Sequence, residues 1–306
     1  MTSTIGKHRK SAPRSLFRRT FLPILLVVVG LLVMLYPVYA TQWNNHQQQK
    51  IAEKYEQDLK ETDPQALSRA VEEARRYNTT HKDGPILDPW LARVSEDNPA
   101  YEEYLSQLSG QSAMSQVVIP SIESRLPVYH GTSDEILQKG LGHLYGSSLP
   151  VGGKGTHAVI TGHTGLSNAT LWDDLVDVRK GDAVYVSTFG EKMKYEVYDT
   201  EVVLPDEVDS LKTRPDEDLL TLITCTPYGV NTHRLLVHAH RVPMDENESN
   251  VFDDRGKLMQ WWMWLLLAAA VLIIALITWW FLRERKKQKA RQSEQVVVGE
   301  EEMEEE

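Results

Sequence analysis

Three short stretches of the chain carry residue types that could perform acyl transfer. The stretch TGHTG (161–165) ends a β-type run in glycines, which let a histidine side chain project from a turn. The stretch TLITCTP (221–227) has the only cysteine of the chain at the C-terminal end of a predicted strand. The stretch NTHRLLV (231–237) begins another predicted strand and contains an arginine. A lone cysteine with a histidine elsewhere in the chain is a candidate nucleophile.

The cysteine, the histidine and the arginine form a coherent set of chemical groups. The loop between the last two stretches is short, so a hairpin places Arg234 beside Cys225. In acyl transfer, the Cys225 thiolate attacks a peptide carbonyl and His163 returns a proton to the leaving amine. Arg234 stays protonated and presents several directed donors, so it can stabilise the oxygen as it becomes negative. Each residue alone has an ordinary structural explanation, but all three at strand ends or turns favour a catalytic site.

The region that should position these groups begins near residue 114 and has short β-rich runs separated by Gly, Pro and Asn. The runs predict strands at 116–119, 126–129, 157–161, 183–187, 194–203, 219–225 and 234–242. Only 134–144 and 171–178 have a helical pattern here. The spacing predicts a mainly β domain, either a barrel or a sandwich, with one or two short helices.

Two uncharged apolar runs are long enough to cross a membrane as helices. The first (20–40) follows a basic N-terminus (1–19), and the second (258–282) precedes a tail (283–306) that is first basic and then acidic. Basic residues on these two sides predict a two-pass protein of the cell membrane, with both termini cytoplasmic and the intervening region extracellular. Cleavage as a signal peptide after Val38-Tyr39-Ala40 is the alternative for the first run, but its length favours an uncleaved anchor.

The extracellular region divides into three parts. Residues 41–113 have apolar positions at helical spacing, broken near Asp63-Pro64, and a loop dense in turn residues that ends in Asp88-Pro89-Trp90. The β-rich domain covers 114–245, and a linker (246–257) leads to the second apolar run.

Composition limits the classes of protein that the chain can belong to. Of 306 residues, 42% are hydrophobic, which is enough for a packed core, and the net charge of -10 argues against a nucleic-acid binder. A single cysteine excludes an intramolecular disulfide. An exported domain without disulfides fits the surface of a Gram-positive cell better than a eukaryotic secretory route.

The three stretches together resemble the signature of the sortases, and the resemblance covers residues from about 114 to 242. The apolar run after the catalytic region and the Asp88-Pro89-Trp90 loop before it resemble the class C, or pilus-type, sortases. This resemblance implies a mainly β fold, an eight-stranded barrel with short helices, preceded by a helical segment and flanked by two transmembrane helices. The resemblance assigns catalysis to His163, Cys225 and Arg234, a lid over the active site to Asp88 and Trp90, and substrate binding to Thr224.

The resemblance also implies the substrates. A cysteine transpeptidase of this class cleaves an LPXTG-like sorting signal between Thr and Gly and passes the acyl group to a lysine amine of another pilin subunit. The product is a covalent, isopeptide-linked polymer of pilins on the cell surface. Neither a metal ion nor another cofactor is expected.

Proline stiffens the Asp88-Pro89-Trp90 loop, so the two flanking side chains are held in a defined relation. Our hypothesis is that both enter one pocket and hold the resting site closed. The Asp88 carboxylate would occupy Arg234, and the Trp90 ring would lie over Cys225. An ordinary surface turn with an exposed tryptophan is the alternative.

Three other functions remain open from sequence alone. His238 and His240 alternate along one strand, and with Cys225 or His233 they could form a metal site, although no acidic or second cysteine ligand has suitable spacing. A non-catalytic membrane receptor or scaffold would not need Cys225. A cysteine peptidase would keep the same chemistry with water as the acceptor.

Overall fold

A computed structural model describes residues 14–81, 84, 88–90, 98–253, 256 and 259–304 of the chain. Several predicted features therefore lie outside the described residues. They are most of the basic N-terminus, positions 83 and 85–87 of the turn-rich loop, positions 254–255 and 257 of the linker, the first residue of the second apolar run and the last two residues of the tail.

The chain divides into two compact units. One unit is Ala40–Gln260, and it contains the strands that the structure describes. The other consists of the two terminal segments. Helix α1 covers Arg14–Glu61 and helix α5 covers Trp261–Glu304. Each contains a stretch that is long and apolar enough to cross a membrane, with a mean hydropathy of 2.7 in both cases, in agreement with the two predicted spans.

Eight strands close into a barrel, as the family resemblance implies. The strands are β1 (Ser115–Ile119), β2 (Ser124–His130), β3 (Leu141–His143), β4 (Thr156–Thr161), β5 (Ala183–Thr188), β6 (Glu191–Val203), β7 (Asp218–Thr226) and β8 (His233–Val242). Their order around the barrel is β1-β2-β3-β4-β7-β8-β6-β5. The pairs β2 with β3 and β4 with β7 are parallel, and the other pairs are antiparallel.

Strand β7 shows how side-chain alternation separates the barrel core from the outer face. Leu220 and Leu222 belong to the main core inside the barrel, whereas Ile223 packs in a second apolar cluster with Val159 and Leu236. Because successive side chains of a strand point to opposite faces, Cys225 shares the face of Ile223. The second cluster therefore lies beneath the position of the thiol.

The helix predicted over 134–144 is wrong in its second half. Helix α4 covers only Asp134–Lys139, and the next residues form β3, which pairs with β2. Gly140 separates the two elements, and a Cβ at this position would stand 2.9 Å from the Pro127 carbonyl oxygen. The close approach to β2 allows the chain to leave the helix and join the sheet, and periodicity within 134–144 does not report that contact.

The predicted break near Asp63-Pro64 is observed. Helix α1 ends at Glu61, and α2 (Pro64–Thr80) begins with Asp63 as its N-cap. Helix α2 packs against the barrel, because the Asn78 side chain exchanges hydrogen bonds with the Leu149 backbone at 2.8 and 3.0 Å. Helix α3 (Pro99–Ser106) follows the described part of the lid loop.

Two further segments differ from the patterns read in the sequence. The helical pattern at 171–178 corresponds to a short 3-10 helix at Asp173–Asp177. The predicted linker 246–257 contains another 3-10 helix at Glu246–Phe252. Phe252 is fully buried against Val118 and Tyr185 of the barrel, so this part of the segment packs on the domain.

Candidate active site

The hairpin of β7 and β8 places Cys225 and Arg234 directly opposite each other. Both residues are buried. Directly opposed residues of an antiparallel pair lie on the same face of the sheet, so the thiol and the guanidinium reach one pocket. The Arg234 Nη1 group also donates to the carbonyl oxygens of Asn231 and His233, both at 3.2 Å, which fixes the guanidinium at the strand start.

The Asp88 carboxylate of the predicted lid is paired with Arg234. Arg234 Nε donates to Asp88 Oδ2 at 2.7 Å, and Nη2 donates to Oδ1 at 3.1 Å. This is a two-point contact between planar groups, and both side chains are buried. The Trp90 backbone N–H also donates to Asp88 Oδ1 at 3.0 Å, which ties the carboxylate to the following turn. The guanidinium that could stabilise an oxyanion is therefore occupied.

The Trp90 side chain lies against the two polar partners proposed for the thiol. Its indole Nε1–H donates to His163 Nδ1 at 3.3 Å, and the Arg234 Cζ atom lies 4.7 Å from the centre of its ring. Trp90 also packs against the apolar cluster of Ile223 and Leu236. That the ring lies over Cys225 itself stays a prediction. Since the indole donates to Nδ1, the proton of a neutral His163 is on Nε2.

His163 follows the end of β4, next to β7. The Gly162 backbone N–H donates to the Ile223 carbonyl at 3.0 Å, which extends the parallel pairing up to the histidine. A side chain at position 162 would not fit, because a Cβ there would stand 2.6 Å from Leu141 Cδ2 and 2.9 Å from the Trp172 ring. The glycine therefore lets the histidine turn pack closely on the barrel.

The observed arrangement keeps both ionisable groups in uncharged forms. Burial, opposed by Arg234 and aided by Asp88, raises the pKa of the Cys225 thiol to about 11. Burial lowers the pKa of His163, and Asp134 opposes that effect. A neutral thiol is weakly nucleophilic, because the thiolate is the reactive species.

Thr224 joins β7 to the segment that carries His163. Its side chain is buried, and its hydroxyl donates to the Gly162 carbonyl at 2.8 Å. This bond joins β7 to the backbone that precedes His163. The hydroxyl is thus engaged within the fold, and contact of Thr224 with a substrate stays a prediction.

The histidines of β8 are also engaged within the fold. His238 Nδ1 lies 2.8 Å from the Thr221 hydroxyl and its Nε2 lies 3.0 Å from Glu201 Oε1, while Thr221 also contacts His157 at 2.7 Å. Within the described part of the chain, no group of three or more His, Cys, Asp or Glu side chains is placed to hold a metal ion. The described residues therefore give the metal alternative no ligand set.

Sequence reasoning did not single out two residues that contact this site. Asn231 supplies a carbonyl to Arg234 from a left-handed backbone conformation (φ 60°), which asparagine tolerates well. Asp173 holds the turn that follows His163. The Asn in the 226–232 loop was a detectable signal, whereas Asp173 lies outside the three catalytic stretches, in the connection that follows Gly165.

Comparison with known proteins identifies what the chain is similar to. The sortase domain family matches residues 117–242. Sortase C-1 from Actinomyces oris is 53% identical, with 58% of this chain and 99% of that chain covered and a TM-score of 0.56. Sortase A from Corynebacterium diphtheriae is 48% identical, and the match covers 67% of this chain and 98% of that chain with a TM-score of 0.61. Streptococcus pneumoniae sortase C is 37% identical, and the match covers 64% of this chain and 97% of that chain with a TM-score of 0.59.

Proposed function

Because the chain belongs to the sortase family, we propose that it is a class C, pilus-type sortase that joins pilin subunits. The observation that most supports assignment to class C is the Asp88-Pro89-Trp90 loop. Its Asp88 carboxylate accepts two hydrogen bonds from the Arg234 guanidinium, and its Trp90 indole donates one to His163. Two similar structures are sortases C, and the Streptococcus pneumoniae enzyme is described with pilin substrate specificity. A structure of a lid mutant of the Corynebacterium diphtheriae enzyme is also similar to this chain.

The proposed reaction has two half-reactions. The Cys225 thiolate attacks the Thr carbonyl of an LPXTG-like signal, and Arg234 stabilises the oxygen that becomes negative. The Thr–Gly bond breaks, a protonated His163 gives its proton to the leaving Gly amine, and a thioester remains on Cys225. A lysine amine of another pilin then attacks the thioester and loses a proton to His163. An isopeptide bond forms as the Cys225–acyl bond breaks, so the thiolate is released and His163 is again protonated.

The lid must leave before either half-reaction can proceed. While Asp88 holds Arg234, a substrate oxyanion has no access to the guanidinium donors. Departure of the Asp88 charge and entry of water both lower the pKa of Cys225, because that charge and burial are the two causes that raise it. Lid opening therefore frees the cation and favours the thiolate together.

Trapping the nucleophile tests the proposal. An LPXTG-type peptide with a thiol-reactive group at the scissile position should form an adduct with Cys225 that mass spectrometry locates. Cys225→Ala is the control and should form none. Without an adduct on the intact chain, or with near-normal turnover in Cys225→Ala, a receptor or scaffold without enzyme activity would replace the proposal. Products made with and without an added amine separate transpeptidation from hydrolysis by a cysteine peptidase.

We also propose a two-pass topology with the catalytic barrel (114–245) outside the cell. The basic residues that flank the apolar helices lie on the two terminal sides, in 1–19 and in 283–306. Reporters fused after Arg19 or after Lys289 should therefore read cytoplasmic, and one near Asn250 should read external. An external reporter at the C-terminal site would overturn the two-span topology.

A further inference from the structure

The turn after His163 is held by a carboxylate from outside the three catalytic stretches. Asp173 begins the 3-10 helix Asp173–Asp177. Its Oδ1 atom accepts the Gly165 backbone N–H at 2.7 Å and the Thr164 hydroxyl at 3.1 Å. The backbone just before it also contributes, because the Trp172 N–H donates to the His163 carbonyl at 3.1 Å. Three hydrogen bonds thus connect this segment to the histidine and the two residues after it.

We propose that Asp173 is a positioning residue for acyl transfer, which holds His163 in its working orientation once the lid has left. The proposal rests on the acyl-transfer function proposed above. In the closed arrangement, the indole of Trp90 is a hydrogen-bond partner of the His163 ring. That partner departs with the lid, whereas the bonds from Asp173 to Thr164 and Gly165 belong to the barrel and stay. A proton-transfer group has to be held closely, since a displacement of about 1 Å can lower a rate by about 100-fold.

The environment of Asp173 also indicates a role other than stability. Burial raises the pKa of its carboxyl to about 6, and the neighbouring Asp174 adds to that effect, while the bonds from Gly165 and Thr164 only partly oppose it. Burial and, to a smaller extent, the Asp173 charge raise the pKa of the Tyr228 phenol. Ionised Asp173 therefore lies in surroundings that favour its protonated form.

The consequence for stability has a definite sign. The folded-state pKa is above the ordinary aspartate value of 3.8, so the folded chain holds a proton on Asp173 between about pH 4 and pH 6 that the unfolded chain has lost. The ionised carboxylate therefore lowers the free energy of unfolding above about pH 6 and has no such effect below about pH 4. An asparagine at this position would avoid that cost and keep the accepting oxygen.

Three variants of the full chain in detergent separate positioning from general damage. Asp173→Ala removes the acceptor, Asp173→Asn keeps an oxygen that accepts from both Thr164 and Gly165, and Asp177→Ala is the control. Asp177 is at the end of the same 3-10 helix, and its side chain is largely exposed. The assay measures kcat and KM for peptide transfer to an amine, from pH 5 to pH 9.

In Asp173→Ala we expect kcat to fall by about 10-fold to 100-fold with KM nearly unchanged, as for a misplaced proton-transfer group. Asp173→Asn should restore most of kcat at neutral pH and move the acidic limb of the kcat profile to lower pH. It should also raise Tm at pH 7.5, and this gain should disappear as the pH approaches 4.

Two results would overturn the proposal. Equal kcat in Asp173→Ala and Asp177→Ala would show that the turn needs no carboxylate. The proposal would also be overturned if the Asp173→Asn chain had the wild-type pH profile of kcat and showed no gain in Tm. This second test can be made even if Asp173→Ala does not fold. Failure of the proposed function is distinguishable, because wild-type chain would then make no amine adduct at any pH.

Discussion

The two ends of the β7–β8 hairpin each hold a carboxylate near an arginine, buried at one end and half-buried at the other, but the carboxylates come from different parts of the chain. At the active-site end, Arg234 pairs with Asp88, which belongs to the loop before the barrel. At the far end, Asp218 is the first residue of β7 itself. It accepts the Tyr195 hydroxyl at 3.0 Å and the Gly153 N–H at 2.8 Å, and Arg241 lies over the Tyr195 ring.

The difference indicates which of the two carboxylates can leave its arginine without disturbing the barrel. The far-end carboxylate is attached to a central strand, and the chain packs closely around it. A Cβ at Gly152 would stand 2.9 Å from Asp218 Oδ2 and 3.1 Å from Arg241 Nη1. Asp88, in contrast, can move with its loop while the eight strands remain paired, and local opening of a loop costs less free energy than unfolding of a barrel. We therefore expect the same two strands to carry a permanent polar cluster at one end and a releasable one at the other.

The largest contrast is expected between the two arginines. Arg234→Ala should lower turnover by about 100-fold to 1,000-fold, as loss of an oxyanion donor does. Arg241→Ala should leave turnover within about threefold of wild type and lower the free energy of unfolding by about 1 kcal/mol, because it removes the contact with the Tyr195 ring and the attraction to Asp218, both at the end away from the thiol. Steady-state transfer assays and denaturant unfolding of both variants measure the two quantities. Similar losses of turnover in both would remove the distinction between the ends.

The lid should control access to the thiol. Asp88→Ala and Trp90→Ala should each speed alkylation of Cys225 by a bulky maleimide by about 10-fold or more and raise activity on peptides. In the first variant, opening no longer breaks the Asp88–Arg234 pair, and in the second it no longer breaks the contacts of the indole with His163 and Arg234. Asp218→Ala is the far-end control and should leave the alkylation rate unchanged. Equal labelling rates in folded wild type and in both lid variants would return this loop to an ordinary turn.

The lid should also set the pH at which the thiol reacts. Burial and the Asp88 charge raise the pKa of Cys225 to about 11, and the thiolate is the form that reacts. In Asp88→Ala, the rate of alkylation by a small reagent such as iodoacetamide should therefore begin to rise at lower pH than in wild type. Superimposable rate profiles from pH 6 to pH 10 would mean that Asp88 does not influence the thiol. Asp218→Asn, with the change at the far end, should keep the wild-type profile.

The smallest effect is expected from a substitution at the far end of the hairpin, where only stability should change. Tyr195→Phe removes the hydroxyl that donates to Asp218 and should lower the free energy of unfolding by about 1–2 kcal/mol. Neither turnover nor thiol labelling should change. Denaturant unfolding of the detergent-solubilised chain, together with the transfer assay, measures both. A marked loss of transfer activity in this variant would show that the two ends of the hairpin are coupled.

Much of this architecture could be read from short-range patterns. The apolar runs predicted the two long terminal helices, and the β-type runs predicted seven of the eight strands at nearly their observed positions. The remaining strand, β3, has only three residues and follows a helix without a break in periodicity. Its pairing with β2 depends on the close approach of Gly140 to Pro127 of β2, and a pattern read within 134–144 contains no information on that contact.

By itself, the sequence determined that a single thiol, an arginine and a histidine lie at strand ends, because strand boundaries and glycine turns depend on neighbouring residues. The family resemblance supported the catalytic roles of these three residues and supplied the idea that Asp88 and Trp90 form a lid. Only the tertiary structure decided that Asp88 meets Arg234 at two points, that the Thr224 hydroxyl turns to Gly162, and that Asp173 holds the turn after His163. The first two contacts join segments that are far apart in the sequence, and the third spans an irregular connection without a periodic pattern, so no local pattern encodes their geometry.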